Sequence, residues 1–221
     1  MKETKKPIIA TTLSGLFTKR EPWKKAHLLW FKKAAEELKD KNIEKYALEK
    51  DYFKYVDIVM QKIYPNMDDE ERTKKAREMF FNSVLQYINE NPEVKNKEAI
   101  DYFSQIKEKF SVALITTNTL QVTNKILSLI DAPDLFDIIE TSNLDEKDDK
   151  SLVFDRFLKK HGKPRLYIGG DRKDSFDYCK EHDIPSVFAN LENQEEIQNV
   201  ESAHSLDELK IKIESLIRNN A

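Results

Sequence analysis

The 221-residue sequence contains a single cysteine, Cys179, so no disulfide can form within the chain. A lone thiol fits a reducing compartment, and a buried structural role suits it better than a reactive one.

No apolar run approaches the about 20 residues that a membrane-spanning helix needs. Lys and Arg (37) nearly balance Asp and Glu (40), so the net charge of -3 gives no electrostatic case for binding nucleic acid or an anionic membrane. We therefore expect a cytoplasmic protein that binds neither.

Glycine is also scarce, with only four in the chain, and three of these directly follow apolar runs typical of buried strands. Gly15 follows the run 7–14, and Gly169 and Gly170 close the run 165–168. Glycine at the carboxyl end of a strand permits positive φ and close approach of another backbone. In open parallel α/β sheets that end of the strands is where ligands bind. The glycines therefore indicate a binding site at these two turns.

The pattern of the chain changes along its length. A first strand is predicted at 8–10, but residues 20–90 contain only amphipathic, helix-like segments, which begin near Pro22, Asn42 and Met67. From Val94 onward helices alternate with predicted strands at 112–116, 136–140, 165–168 and 184–189. Such alternation predicts a parallel sheet with right-handed crossovers. The sequence therefore predicts an α/β core of residues 1–19 and 92–221, with residues 20–91 inserted as an all-helical subdomain.

Polar side chains follow the predicted strands at the edge where their carboxyl ends would meet. They are Thr12 and Ser14 after the first strand, Thr117 and Asn118 after the second, Lys147 and Lys150 in a charged loop, and Asp171 and Asp174 after the run 165–168. Hydroxyls, an ammonium group, carboxylates and the free N–H groups of strand-to-helix turns suit a phosphate group and a divalent metal. The sequence therefore predicts a phosphate and metal site at this edge.

The order and spacing of these segments resemble the haloacid dehalogenase (HAD) superfamily of phosphohydrolases over essentially the whole chain. The helical insertion is similar to the family's cap, the segment 117–118 to its second motif, and the segment 167–174 to its fourth. The resemblance implies a HAD-like, Rossmann-like core of three layers with a helical cap, and a small phosphorylated ligand. It further implies the following site residues: Thr117, Asn118 and Lys147 or Lys150 for phosphate, and Asp171 and Asp174 for Mg²⁺.

The departures from the family fall on its catalytic residues. Aligned on the glycine of the family's first motif, Asp-x-Asp-Gly-Thr, this chain has Thr12 in place of the nucleophile and Ser14 in place of the general acid/base. In the fourth motif Gly170 replaces the first metal-binding aspartate, with Asp171 one place later and Asp174 matching the second. An aspartyl-phosphate intermediate requires an ionised carboxylate as nucleophile, and a hydroxyl removes a hard anionic ligand for Mg²⁺. The standard mechanism is therefore predicted to be absent.

The same residues also have structural interpretations that the sequence leaves open. Strand-end hydroxyls cap turns, Thr117 and Asn118 suit the N-cap of a helix near Leu120, a charged loop is commonly solvated, and acidic residues favour a helix N-terminus. Aromatic residues of the segment 20–90 fall at helical spacing, which is typical of a packed core.

Three functions accordingly stay open, and with them the question of whether the chain is an enzyme. The leading hypothesis is a catalytically degenerate protein that binds a phosphorylated ligand or a protein partner. The second is an active metal-dependent phosphohydrolase of a small phosphorylated metabolite, with Asp171 and Asp174 holding Mg²⁺ to activate water. The third is a protein–protein interaction module that acts through the aromatic-rich helical segment.

Overall fold

A computed structural model describes residues 6–49, 52–146 and 148–218. The chain divides into two compact units. We call Met1–Arg20, Glu93–Asn143 and Asp148–Ala221 the core unit, and Glu21–Pro92 with Leu144–Lys147 the helical unit. Among the described residues, no helix combines the length and the apolar character needed to cross a membrane.

A six-stranded sheet in the order β3-β2-β1-β4-β5-β6 forms the centre of the core unit. The strands are β1 (Ile8–Thr11), β2 (Ser111–Ile115), β3 (Ile138–Glu140), β4 (Leu166–Gly169), β5 (Ser186–Ala189) and β6 (Glu201–Ala203). Every neighbouring pair is parallel. Strand β1 is fully buried, as expected of a central strand covered on both faces. The predicted α/β fold with a parallel sheet is confirmed.

Helices connect these strands and cover the sheet. They are α4 (Lys97–Ile106), α5 (Leu120–Leu129), α6 (Lys150–His161), α7 (Lys173–Glu181) and α8 (Leu206–Arg218). Phe154 and Phe157 of α6 and Phe176 of α7 pack with Tyr167 of β4 in one buried cluster. This packing fixes the start of α6 and the start of α7 next to the carboxyl end of β4.

The helical unit has its own hydrophobic core. It consists of α1 (Glu21–Leu38), a 3₁₀ helix (Lys41–Leu48), α2 (Tyr52–Ile63) and α3 (Asp69–Glu90). Trp30 and Phe31 are buried among Ile43, Val59 and Met60. The Trp30 indole donates a hydrogen bond of 3.2 Å to the Ala76 carbonyl. These aromatic side chains therefore stabilise the unit from within.

Two elements differ from the sequence-based expectation. The helical segment predicted to begin near Asn42 is divided, because Glu49 adopts an extended conformation (φ -74, ψ 143) at the end of the 3₁₀ helix. Strand β6 was not predicted, since its three residues include the polar Glu201 and Ser202. It pairs with β5 at the edge of the sheet, where short strands with polar side chains are common.

Candidate functional site

Two glycines bring the carboxyl ends of β1 and β4 into backbone contact. Gly15 has φ +77, and a Cβ atom there would lie 2.3 Å from the Gly170 carbonyl oxygen. A Cβ atom on Gly170 would lie 2.3 Å from the Ser14 carbonyl oxygen. The glycines noted in the sequence thus permit this contact, and with this backbone no aspartate can stand at position 170.

Lys150 is the charged residue at the centre of the site. It lies in the first turn of α6, is only 3% exposed, and donates hydrogen bonds from Nζ to the Tyr167 hydroxyl (2.9 Å) and Thr12 Oγ1 (3.3 Å). Burial lowers the pKa of Lys150 to about 8, against the opposing attraction of the Asp171 carboxylate. At neutral pH the buried ammonium form therefore predominates. The other lysine of the prediction, Lys147, lies outside the described residues.

Thr12 and Ser14 are both buried side chains at the end of β1. Thr12 Oγ1 accepts a hydrogen bond from the Lys150 ammonium group, and its backbone N–H donates to the Ile168 carbonyl (3.2 Å). At neutral pH the ammonium form of Lys150 predominates, and this form cannot take a proton from the threonine hydroxyl and so does not activate Thr12 as a nucleophile. The Ser14 hydroxyl stabilises the ionised form of Asp171, against the burial that raises the pKa of that carboxyl.

Tyr167 is a site residue that the sequence reasoning missed. Its side chain is fully buried in β4, its hydroxyl accepts from Lys150, and the Lys150 Nζ atom lies 5.4 Å from the centre of its ring. Burial raises the pKa of Tyr167, so the phenol stays neutral. The only sequence signal was one hydroxyl within an otherwise apolar strand.

The turn after β2 holds the two residues predicted to bind phosphate there. Asn118 is buried, its N–H donates to Thr116 Oγ1 (3.2 Å), and its carbonyl accepts from the Ser142 N–H (3.2 Å). Thr119 is the N-cap of α5, with its side chain accepting from the Val122 N–H. The interpretation of Thr117 and Asn118 as the N-cap is therefore wrong, because the chain enters the helix one residue later. Phosphate binding by Thr117 and Asn118 stays a prediction.

Asp174, one of the two predicted metal ligands, is held by Arg172. The guanidinium donates from Nη2 to Asp174 Oδ2 at 2.6 Å, and from Nε to Asp174 Oδ1 and Oδ2 at 3.2 and 3.1 Å. Its Nη1 atom donates to Asp148 Oδ1 at 3.0 Å. Partial burial alone would raise the pKa of Asp174, but the hydrogen bonds and the charge of Arg172 outweigh it and lower the pKa. The Asp174 side chain is also 47% exposed.

Asp171, the other predicted metal ligand, is more enclosed. Its Oδ1 atom is buried without a hydrogen-bond partner among the described residues. Burial raises the pKa of Asp171, while the positive charges of Lys150, Arg20 and Arg172 and the Ser14 hydrogen bond act in the opposite direction. One carboxylate oxygen of Asp171 is thus left without a described hydrogen-bond partner, although three cationic side chains act on this group.

These residues do not fit the Mg²⁺ that the resemblance implies. Thr12 and Gly170 supply no carboxylate, and Asp174 is engaged by a guanidinium. The part of the chain that the structure describes contains no group of three or more His, Cys, Asp or Glu side chains placed to hold a metal ion. Asp171 alone would hold the ion, next to side chains of the same sign of charge.

The loop after β5 reaches the site and was also not anticipated. Gln194 donates from Nε2 to the Gly170 carbonyl (3.1 Å) and accepts a hydrogen bond from Arg20. Asn190, which is buried, holds this loop by accepting from the Gln194 N–H (2.6 Å) and donating to the Gln194 carbonyl (3.0 Å). The loop therefore links Arg20 to the glycine contact between β1 and β4.

No family model and no curated protein matches the sequence. The structure is similar to several solved structures. The HAD-hydrolase YfnB from Bacillus subtilis, determined with bound magnesium, matches with a TM-score of 0.62 and 12% identity over 96% of this chain and 100% of that one. β-Phosphoglucomutase from Clostridium difficile matches with a TM-score of 0.61 and 18% identity, over 98% of this chain and 99% of that one. CbbY from Rhodobacter sphaeroides, in complex with phosphate, matches with a TM-score of 0.61 and 12% identity, over 93% of this chain and 99% of that one.

The chain therefore has the HAD-like fold, an α/β Rossmann-like core with an inserted helical segment. The fold that the sequence motifs predict is confirmed. At these identities the likeness establishes the fold and leaves the chemistry to be argued from the site.

Proposed function

We propose that this chain is a HAD-like protein that binds a small phosphorylated ligand without hydrolysing it. The observation that carries the proposal is the contact of the buried Lys150 ammonium group with Thr12, the residue in place of the family's nucleophile. The site keeps a cation for an anionic ligand and lacks the carboxylate that would attack it.

Burial makes Lys150 an effective anion-binding group. Its two described hydrogen-bond partners are the hydroxyls of Thr12 and Tyr167, which leave its charge uncompensated by direct contact with a carboxylate. In a region of low dielectric such a charge interacts more strongly with an anion than it would in water. The phosphate complex of CbbY, which shares the fold, supports phosphate as the anion.

The absence of turnover follows from the residues at the end of β1. Thr12 accepts a hydrogen bond from an ammonium group, and Ser14 has no acidic proton to give to a leaving group. Catalytic groups that act together lose most of their effect when one is removed, and here both are replaced.

Inorganic phosphate is expected to raise the melting temperature of the protein. A ligand at about ten times its Kd adds about 1.4 kcal/mol to the free energy of unfolding, which corresponds to several degrees for a chain of this length. Lys150→Ala should remove the shift, while Lys159→Ala, on an exposed position of the same helix, should keep it. Absence of any shift at millimolar phosphate would contradict the proposal.

An active metal-dependent phosphohydrolase is the second candidate. The observation that favours it is the unpaired Oδ1 atom of Asp171, since a buried acceptor without a partner suits a cation or a water held by one. An Mg²⁺-dependent assay distinguishes the two candidates.

A further inference from the structure

We propose that the anion site works without a divalent cation, because Lys150 and Arg20 supply positive charge in place of a metal and Arg172 occupies carboxylates that would hold one. The inference rests on the proposed function and specifies how the ligand is held. It predicts a ligand recognised by ammonium and guanidinium groups and by backbone N–H groups, with no bridging metal.

The first support is that Arg172 engages two carboxylates at once. Its guanidinium lies between Asp148 and Asp174, with the closest contact to each at 3.0 and 2.6 Å. Fork-like contacts of arginine with carboxylates are among the stronger charge-assisted hydrogen bonds. A metal that used Asp174 would have to displace this guanidinium first.

The second support is the backbone contact between Gly15 and Gly170. Because a Cβ atom on Gly170 would lie 2.3 Å from the Ser14 carbonyl oxygen, a carboxylate cannot be restored at that position without moving β1 or β4. The Gly170 carbonyl also accepts a hydrogen bond from Gln194, so the 190–194 loop contacts the same turn from another direction.

The third support is the distribution of charge around Asp171. Lys150, Arg20 and Arg172 all act on this carboxylate and stabilise its ionised form. Arg20 is fixed near the site by Gln194, with which it forms a hydrogen bond. Lys150 and Arg20, whose side chains have only uncharged described hydrogen-bond partners, would repel a dication at Asp171 and attract an anion.

Calorimetric titration of inorganic phosphate, in EDTA and again in excess Mg²⁺, tests the inference. The expected dissociation constants agree within about twofold. Binding that appears only with Mg²⁺, or that tightens tenfold or more, overturns the inference and leaves the proposed function intact. Absence of binding under both conditions overturns the proposed function, and the inference with it.

A titration with Mn²⁺ alone, without phosphate, tests the role of Arg172. The wild-type protein should show no saturable binding at millimolar Mn²⁺, whereas Arg172→Gln, which frees Asp148 and Asp174, should show saturable binding in that range. Lys173→Gln is the matched control, since Lys173 pairs only with Asp177 among its described salt bridges. Tight Mn²⁺ binding by the wild type that Asp174→Asn removes, or equal binding by wild type and Arg172→Gln, overturns the inference. Thermal melts of each variant verify that it is folded.

Discussion

At the scale of single residues, Lys150 shows a conflict between stability and binding. Its ammonium group is buried against two hydroxyls and an aromatic ring, and a buried charge whose direct contacts are uncharged is costly. Such a cost is commonly retained where the charge serves a function. The free energy of unfolding of variants at position 150 therefore measures the cost of burying this charge.

Lys150→Met is expected to stabilise the protein near pH 7 by about 2 kcal/mol. The folded-state pKa of about 8 lies below the ordinary value near 10.4, a difference that corresponds to roughly 3 kcal/mol before the loss of two hydrogen bonds is deducted. Below pH 8 both folded and unfolded states carry the proton, so the full cost is present. Between about pH 8 and 10.4 the folded state loses the proton first, so the wild type gains stability as pH rises.

The advantage of Lys150→Met should accordingly shrink between pH 8 and 10, as measured by urea unfolding. Lys159→Met, at an exposed position, serves as the control and should show no such trend. A Lys150→Met variant that is less stable than the wild type at pH 7, with no change in the difference toward pH 10, would show that the lysine is not strained.

Gly170→Ala should destabilise the core unit by about 3 kcal/mol or more, because the new Cβ atom meets backbone, which cannot move aside as a side chain can. Gly162→Ala is the comparison: it has φ +82 but open space around the added atom, so it should cost about 1 kcal/mol. Chemical denaturation of both variants measures the difference. Equal losses would mean that the contact between β1 and β4 adjusts easily.

At the scale of elements, periodicity predicted most of the fold. Apolar runs of four to five residues marked β1, β2, β4 and β5, since strands buried on both faces read as continuous apolar segments. Strand β6 was not predicted, because it forms by pairing with β5 at the sheet edge and its own residues show no strand pattern. The break between the 3₁₀ helix and α2 was not predicted, because the sequence has no proline or glycine there.

The candidate site was only partly predictable for a related reason. Residues within two positions of a strand end, such as Thr12 and Asp171, were predicted because strand ends converge in a parallel sheet. Tyr167, Gln194 and Arg20 contribute through side-chain direction or through a distant loop, and neither is visible in local spacing. The engagement of Asp174 by Arg172 likewise depends on rotamers, although the two residues lie only two positions apart.

At the scale of the whole molecule, the two ends of the helical insertion return to the same place in the core unit. The Lys19 N–H donates to the Val94 carbonyl at 2.7 Å, and Thr18 forms an antiparallel bridge with Lys95. The hydrophobic cluster around Trp30 and Phe31 consists of residues of the helical unit alone.

Deleting residues 20–90 and joining the ends with a short Gly/Ser linker should therefore leave a folded core. The expected product is soluble, with circular dichroism of mixed helix and strand and a cooperative thermal transition. Its control is the full chain measured under the same conditions. A product that aggregates or shows no cooperative transition would contradict the view that the core unit folds by itself.

The central claim is that a HAD-like fold is kept here for binding while its hydrolytic chemistry is lost. The most direct test is the rate of phosphomonoester hydrolysis by the purified chain, with a generic aryl phosphate and increasing Mg²⁺. We predict a rate at the uncatalysed background at every Mg²⁺ concentration, since Thr12 and Ser14 supply neither the nucleophile nor the acid. A turnover that rises with Mg²⁺ and is abolished by Asp174→Ala would contradict the account and establish the metal-dependent hydrolase instead.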